Sequence, residues 1–347
     1  MTALRVPARP EQDARPRPLP WRRMAWVTWR QHRIALAGVA LLLGGLAVWL
    51  WLEGVAAHRA YAVAVDCHPA SSGACGALVG YFLNYVSTGQ LIATVLQAVP
   101  ALIGAFVGAP VLAREMETGT FRYAWTLGFG RSRWTVAKLV PLGIVVAAAA
   151  GAFSVLFSWY YQPFLTQTLS YNNQVPLDPG VFDLRGVAFA AWTLAAFAIG
   201  ALAGMLIRRV VPALAATLAV YTGLAVAAGL YLREHYMTPL LVKNADAPGS
   251  AWVLSQWWTK GGRPVSQDAL SQFLQQGAPQ LAGGGKGGIP QSPTVNQYLV
   301  QHGYTLWTSY QPGSRFWPFQ WIEAGWLLAL SVLLIATTVW LVRRRAA

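Results

Sequence analysis

The charged side chains of this sequence are densest in one short stretch between two apolar segments. Residues 112–134, LAREMETGTFRYAWTLGFGRSRW, contain two glutamates and four arginines: Arg114, Glu115, Glu117, Arg122, Arg131 and Arg133. Carboxylates and guanidinium groups at this density can dock on the charged surface of a partner protein. The same composition is also typical of a solvated turn that carries the positive charges of a cytoplasmic loop.

No motif for nucleotide binding or hydrolysis accompanies this stretch. A phosphate-binding loop requires G-x-x-x-x-G-K-[ST] after a strand. The nearest sequence, Gly285-Lys286-Gly287, lacks both the first glycine and the hydroxyl residue. The zinc-protease motif HExxH and the serine-hydrolase motif GxSxG do not occur in the sequence. We therefore expect no enzyme activity in this chain, and no cofactor or metal bound to it.

The two cysteines, Cys67 and Cys75, are eight positions apart, and His68 follows the first. A disulfide is favoured if this segment lies outside the cytoplasm, and free thiols are the alternative. A metal site is the weakest interpretation, because these residues supply only three ligands without a zinc-type spacing.

The elements that position these residues are predicted to be membrane helices. Of the 347 residues, 55% are hydrophobic and only 11% are charged, against roughly 25% charged in an average soluble domain. Six apolar segments have the length of about 20 residues that a transmembrane helix needs: 34–52, 91–112, 139–160, 187–207, 210–232 and 324–342. We expect an all-α polytopic membrane protein with six spans, none of which has a charged residue in its interior.

These spans divide the chain into regions with different expected structures. We expect a disordered tail over 1–20, an amphipathic interfacial helix over 21–33, a five-span region over 34–232 with the charged loop at 113–138, an outer segment over 233–320, and the sixth span with a basic tail over 321–347. Outer loops are expected at 53–90 and 161–186. Within the outer segment, GGGKGG (283–288) is typical of a flexible tip. The aromatic residues of 315–326 are typical of an interfacial belt, with a helix lying flat or dipping partway into the membrane.

The distribution of Lys and Arg predicts the orientation of the chain. If both termini are cytoplasmic, the inner segments carry the whole formal net charge of +14, and the outer segments are neutral. This is the positive-inside pattern of a membrane protein. It explains the isoelectric point of about 10.2 without a nucleic-acid partner.

Charged residues at the borders of the spans are expected to act as anchors at the outer face. They are Asp183, Arg185 and Glu323. Ion-coupled transporters usually carry ionisable residues inside the membrane, so the apolar interiors of the six spans disfavour that class. They do not exclude it, because carbonyl and hydroxyl oxygens can bind sodium.

Three stretches resemble one family of transport proteins. The pattern ARE-x-E-x-GT-x(4)-WT-x(4)-R-x-RW-x(3)-K, Ala113 to Lys138, is similar to the cytoplasmic loop of ATP-binding-cassette transporter permeases of the second exporter class, of the actinobacterial type. WVTWRQHR (26–33) and the closing W-x-E-x-G with the terminal RRR (321–345) resemble the two ends of such permeases. The resemblance implies a bacterial plasma-membrane permease that exports a hydrophobic or amphiphilic cargo, such as a drug, an antibiotic or a lipid-like compound.

The resemblance also implies partners and residue roles. The partners would be the lipid bilayer, a separate nucleotide-binding ATPase subunit and a second permease subunit. Residues 21–33 would form an elbow helix, and 113–134 would contain the coupling helix. The coupling residues would be Arg114, Glu115, Glu117, Thr118, Gly119, Thr120, Arg131, Arg133 and Trp134. Glu323 and Trp321 would form a gate or anchor at the outer face.

Two other functions fit the residues alone. The chain could be a six-span sensor or scaffold without transport activity, in which the charged loop binds a signalling protein. It could also be a membrane enzyme that acts on lipid-linked substrates. The outer acids Asp246 and Asp268 have no motif around them, so the enzyme is the weakest hypothesis.

Overall fold

The computed structural model describes residues 21–69, 72–119, 130–166, 175–245, 247–281 and 292–345. The expected disordered tail at 1–20, the predicted coupling residue Thr120 and the GGGKGG run at 283–288 lie outside the described residues.

Six helical stretches are long and apolar enough to cross a membrane, which confirms the six predicted spans. The first is α1 (Trp21–Val65). The second runs through α2 (Gly73–Leu96), α3 (Ala98–Ile103), a π-helical turn (Gly104–Gly108) and α4 (Ala109–Thr118). The third is α5 (Arg131–Tyr161), and a single turn, α6 (Pro179–Phe182), precedes the fourth. The others are α7 (Ala188–Ile207), α8 (Val210–Ala227) with a π-helical turn (Ala228–Leu232), and α11 (Phe316–Arg345).

The helix α1 is longer at both ends than the predicted first span. Its 45 residues correspond to about 68 Å at ~1.5 Å per residue, more than twice the thickness of the hydrocarbon core. The expected interfacial helix at 21–33 is therefore helical, but it is continuous with the span rather than separate from it.

The expected outer loop at 53–90 is instead a helical hairpin. The helix α1 continues to Val65, and α2 begins at Gly73. The alanine-rich sequence EGVAAHRAYAVAV, which follows the first predicted span, has a high helix propensity and no proline, so nothing ends the helix at the predicted border. In the connection between the two helices, Cys67 and Cys75 form a disulfide with a Cα–Cα distance of 5.6 Å, which is within the usual range.

The helix α7 lies at the centre of the bundle, and two glycines allow its neighbours to approach closely. A Cβ atom at Gly200 would lie 2.2 Å from the carbonyl oxygen of Gly104, and one at Gly204 would lie 2.3 Å from that of Ala109. Small residues at this spacing let helix backbones pack together in membranes. The Gly200–Gly204 motif therefore joins α7 to the second span of the same chain.

The segment between α8 and α11 forms a small α/β subdomain, for which the sequence analysis predicted no strands. Its strands are β1 (Leu240–Lys243), β2 (Trp252–Lys260), β3 (Arg263–Val265) and β4 (Tyr304–Gln311). They pair antiparallel in the order β1-β4-β2-β3. The helices α9 (Gln267–Gly277) and α10 (Pro293–Gln301) share a core with the sheet that includes Trp258, Leu270, Leu274, Leu299 and Leu306.

The helix α11 is continuous from Phe316 to Arg345, so the expected flat helix at 315–326 is not a separate element. Pro318 does not interrupt it, because a proline in the first helical turn lacks only an N–H that has no partner there. The first turns have two faces: Phe319 and Glu323 are fully buried, whereas Trp317 and Trp321 are 54% and 63% exposed.

Candidate functional sites at the two ends of the bundle

The helix α4 ends with several of the residues predicted to couple the chain to a partner. We call this end of the bundle, where α4 ends and α5 begins, the loop end. Gly119 follows α4 with a φ of 71°, a left-handed conformation that glycine adopts without strain. The hydroxyl group of Thr118 donates a hydrogen bond of 2.8 Å to the carbonyl oxygen of Arg114. The predicted helix stop at Gly119 is thus confirmed.

Glu115 joins α4 to α5. Its carboxylate forms an ion pair with Lys138, whose side chain is 5% exposed. The Lys138 ammonium also lies 4.6 Å from the centroid of the buried Trp134 ring, within the range of a cation–π interaction. The Glu115–Lys138 pair therefore joins the two helices, and Trp134 lies beside it on α5.

Glu117 joins α4 to α8. Its Oε2 atom accepts a hydrogen bond of 3.1 Å from the backbone N–H of Val210, the first residue of α8. The first N–H groups of a helix have no partner within the helix, and they carry the positive end of its dipole. The carboxylate satisfies one of these groups from a neighbouring helix.

The predicted coupling arginines lie at the same end. Arg114 and Arg133 are exposed. Arg131 is the first residue of α5, and its carbonyl oxygen accepts a hydrogen bond of 3.0 Å from the hydroxyl group of Thr135. The predicted residues therefore include carboxylates that join the helices, Glu115 and Glu117, and two exposed arginines, Arg114 and Arg133.

At the other end, which we call the sheet end because it carries the subdomain, Arg233 binds two carboxylates. Its Nε and Nη2 atoms donate to the two carboxylate oxygens of Glu323 at 3.1 and 2.8 Å. Nη2 also forms an ion pair with Asp183. Arg233 and Glu323 are fully buried, whereas the Asp183 side chain is 27% exposed. This Arg233 cluster links the end of α8, the start of α11 and the segment between α6 and α7.

Aromatic side chains complete the environment of Glu323. The indole N–H of Trp192 donates to its Oε1 at 2.7 Å, and the Tyr236 hydroxyl group donates to its Oε2 at 3.1 Å. Trp326 in turn donates to the Tyr236 oxygen at 2.9 Å. Further hydrogen bonds offset part of the cost of burying an ion pair, and both oxygens of Glu323 accept them, whereas Nη1 of Arg233 has no hydrogen-bond partner among the described residues.

The Arg233 cluster corrects the interpretation of the border charges. Glu323 was expected at an interface, but it is fully buried, and the helical stretches of the fifth and sixth spans, Val210–His235 and Gly313–Arg344, extend beyond the predicted borders. The sequence analysis missed Arg233, which lies 90 positions from Glu323 in the chain. The available signal was an arginine directly after one apolar span together with an acid directly before another.

Burial shifts the pKa of two groups in the segment between α6 and α7. It raises the pKa of Asp183 above its ordinary value; Arg233 opposes this shift, and Glu323 adds to it. Burial lowers the pKa of Arg185 to about 10, and its guanidinium carbon lies 4.7 Å from the centroid of the Phe316 ring.

The two connections of the subdomain to the bundle are hydrogen-bonded to each other. Gln311, at the end of β4, donates to the carbonyl oxygen of Met237 at 2.7 Å. Arg315 donates to the carbonyl oxygen of Thr238 at 2.7 Å and to the side chain of Gln311 at 2.5 Å. The subdomain is thus fastened at its base, a few residues from the Arg233 cluster.

Within the described ranges, no group of three or more His, Cys, Asp or Glu side chains could hold a metal ion. The cysteines that the sequence analysis considered as metal ligands form the disulfide described above.

Comparison with known proteins identifies the membrane region. The family model for "ABC-2 membrane transporter related" proteins matches residues 39–233, more than half of the chain. Comparisons with curated proteins and with solved structures gave no significant match. The matched residues extend from α1 to Arg233 and include the loop end, Asp183 and Arg233, whereas Glu323 and the subdomain lie outside the match. The chain therefore belongs to the ABC-2 membrane transporter related family and is an ABC-2 type permease.

Proposed function

We propose that this permease exports a hydrophobic or amphiphilic cargo, driven by ATP hydrolysis in a separate subunit that docks at the loop end. In this proposal the loop end is cytoplasmic, the sheet end is outside the cell, and a second permease subunit completes the pathway. The positive-inside distribution of the +14 net charge supports this orientation.

The fastening of α4 is the observation that carries the docking proposal. Glu115 and Glu117 tie α4 to α5 and α8, while Arg114 and Arg133 remain exposed beside them. Because α4 is joined to α5 and α8, a displacement of the loop by a docked subunit would move the second, third and fifth spans together. Glu115 and Glu117 then act as positioning residues, and the exposed arginines contact the ATPase subunit.

The test is affinity purification of the detergent-solubilised permease from its native host, followed by mass spectrometry and an ATPase assay. We expect a nucleotide-binding subunit to co-purify, and the variants Arg114→Glu and Arg133→Glu to reduce its recovery. Arg343→Glu is the matched control, because it reverses an exposed charge in the terminal basic tail, outside the predicted coupling segment. Equal recovery from all three variants would argue against docking at these arginines.

A sensor or scaffold remains the second candidate, favoured by the folded subdomain at the sheet end. Purification of the chain alone, or with a signalling protein in place of an ATPase, would support this candidate. Stimulation of ATP hydrolysis by a transported compound would exclude it.

For the sheet end, we infer that the Arg233–Glu323 pair holds the outer ends of α8 and α11 together as a gate. The exposed ring of Trp321, on the other face of α11, would anchor that helix at the interface. Opening of the gate would require the two helix ends to separate and the ion pair to exchange partners.

A further inference from the structure

A cavity of about 650 Å³ lies near the sheet end, between α3, α7 and α8. Its volume is within the range of ~300–1,000 Å³ that is typical of sites for small molecules. Most of its wall is apolar or aromatic, and it includes Phe189 and Trp192 of α7 and Leu218 and Val226 of α8. The indole ring of Trp192 is held in place by its hydrogen bond to Glu323.

Asp183 is the carboxylate that lines this cavity. The partly exposed Asp183 and the fully buried Glu323 share one guanidinium group, that of Arg233. When both acids are ionised, the Arg233 cluster therefore has a net charge of −1, and Asp183 is the member that faces the cavity. The nearby Arg185 is not part of the cavity wall, and its guanidinium group lies over Phe316 instead.

An apolar wall and a partly exposed carboxylate together favour a cation with an apolar body. A carboxylate attracts positive charge most strongly where water is excluded. Arg233 can balance the charge of only one of the two carboxylates. A cation near Asp183 would balance the other. An anionic ligand would instead meet an excess of negative charge.

We propose that this cavity binds amphiphilic organic cations, with Asp183 as their counter-ion. The inference rests on the proposed transport function, because it names the chemical class of the cargo. The apolar walls would hold the body of the ligand, and its charge would lie beside the carboxylate of Asp183.

Binding should also release a proton. The groups that face Asp183 are Arg233 and Tyr221 from the fifth span and Glu323 from α11. Burial raises the pKa of Asp183 in the empty cavity, and a bound cation favours the ionised carboxylate. The affinity for a permanently charged cation is therefore expected to rise with pH until Asp183 is ionised without the ligand.

The first experiment compares two probes of nearly equal size and shape, tetraphenylphosphonium and tetraphenylborate, which carry opposite permanent charges. Equilibrium binding is measured on the purified permease without ATP or an ATPase subunit. We expect the cation to bind at least about tenfold more tightly than the anion. Equal affinities, or a preference for the anion, would overturn the proposal.

Two variants localise the binding. Asp183→Asn should weaken tetraphenylphosphonium binding about tenfold and leave tetraphenylborate unaffected or bound more tightly. Ala225→Phe fills the cavity and should weaken binding of the cation. Ala215→Phe is its control, because Ala215 is exposed on the same helix and is not part of the wall. Unchanged cation binding in either Asp183→Asn or Ala225→Phe would contradict the site.

The variants also keep the test decisive. If Asp183→Asn does not fold, the comparison of Ala225→Phe with Ala215→Phe still decides whether the cavity binds the cation. Because no ATPase is present, absence of cation binding would overturn this site and leave the proposed transport function standing. Failure to recover an ATPase partner would argue against the proposed transport function and leave the cation site standing.

Discussion

Arg233 is the single side chain on which the packing of the sheet end most depends. It is fully buried and neutralises Glu323, which is also fully buried. Arg233→Met would leave that carboxylate without a counter-ion, which typically costs about 3–5 kcal/mol. We expect a clear fall in the thermal unfolding midpoint of the purified protein in detergent.

The control is the double variant Arg233→Met/Glu323→Leu, which removes the two fully buried charges together and leaves the partly exposed Asp183. Replacing a buried ion pair by apolar side chains is often neutral, so the double variant should be more stable than the single one. If the double variant is as unstable as Arg233→Met, the cost does not come from the unpaired charge of Glu323.

Asp183 should make the stability of the protein depend on pH. Its pKa is raised on folding, so the folded state holds this proton more tightly than the unfolded state does. The stabilisation is complete below the unfolded pKa of about 3.9 and is lost as the pH rises through the higher folded pKa. Unfolding midpoints measured across this range should fall with pH more steeply in the parent than in Asp183→Asn. Parallel curves for the two proteins would contradict the shift.

At the scale of the helices, the contact between α7 and the second span is too close for a side chain. Gly200→Ala would bring a Cβ atom to 2.2 Å from the carbonyl oxygen of Gly104, so one of the two backbones must shift. Overpacking of this kind typically costs about 1–3 kcal/mol. We expect lower yields of folded protein and a lower unfolding midpoint, both measurable by size-exclusion chromatography with fluorescence detection.

Gly223→Ala in α8 is the matched control, because no atom lies within 4 Å of a Cβ atom at that position. Alanine favours a helix over glycine by roughly 0.5–1 kcal/mol, so this variant should be as stable as the parent or slightly more so. Equal losses in both variants would show that the close approach is not what constrains Gly200.

The sequence predicted the helices better than their ends. A run of about 20 apolar residues is a local signal, and all six spans were found from it. The extension of α1 to Val65 passes through Glu53, His58 and Arg59, which interrupt an apolar pattern but not a helix. Hydropathy reports where a helix enters lipid, and the backbone continues for as long as the helix propensity allows.

Contacts between distant residues were beyond the reach of the sequence. Glu115 and Glu117 were predicted to dock on a partner or to hold the coupling geometry, but the sequence did not identify the partners of their carboxylates, Lys138 and Val210, which lie on other helices. Arg233 meets Asp183 and Glu323 across 50 and 90 positions of chain. No spacing rule connects such residues, because the packing of α8 against its neighbours brings them together.

For the whole molecule, the proposed orientation can be checked by labelling single cysteines. The two native cysteines are first replaced by Cys67→Ser and Cys75→Ser. A single cysteine is then introduced at an exposed position, either Gln275→Cys in the subdomain or Arg133→Cys at the loop end. A membrane-impermeant maleimide should label Gln275→Cys on intact cells, and Arg133→Cys only after permeabilisation. The opposite pattern would invert the topology and remove the proposed cytoplasmic docking site.

The order of strands in the sheet constrains how the chain can be made. The strand β4 is the last in sequence but lies between β1 and β2, and it pairs with both. During synthesis, the strand that lies between β1 and β2 is therefore missing until residue 311 has left the ribosome. Five spans have already been produced by that time. The subdomain must complete its folding only as the final span follows it, so errors in biogenesis should expose unpaired strand edges to aggregation and quality control.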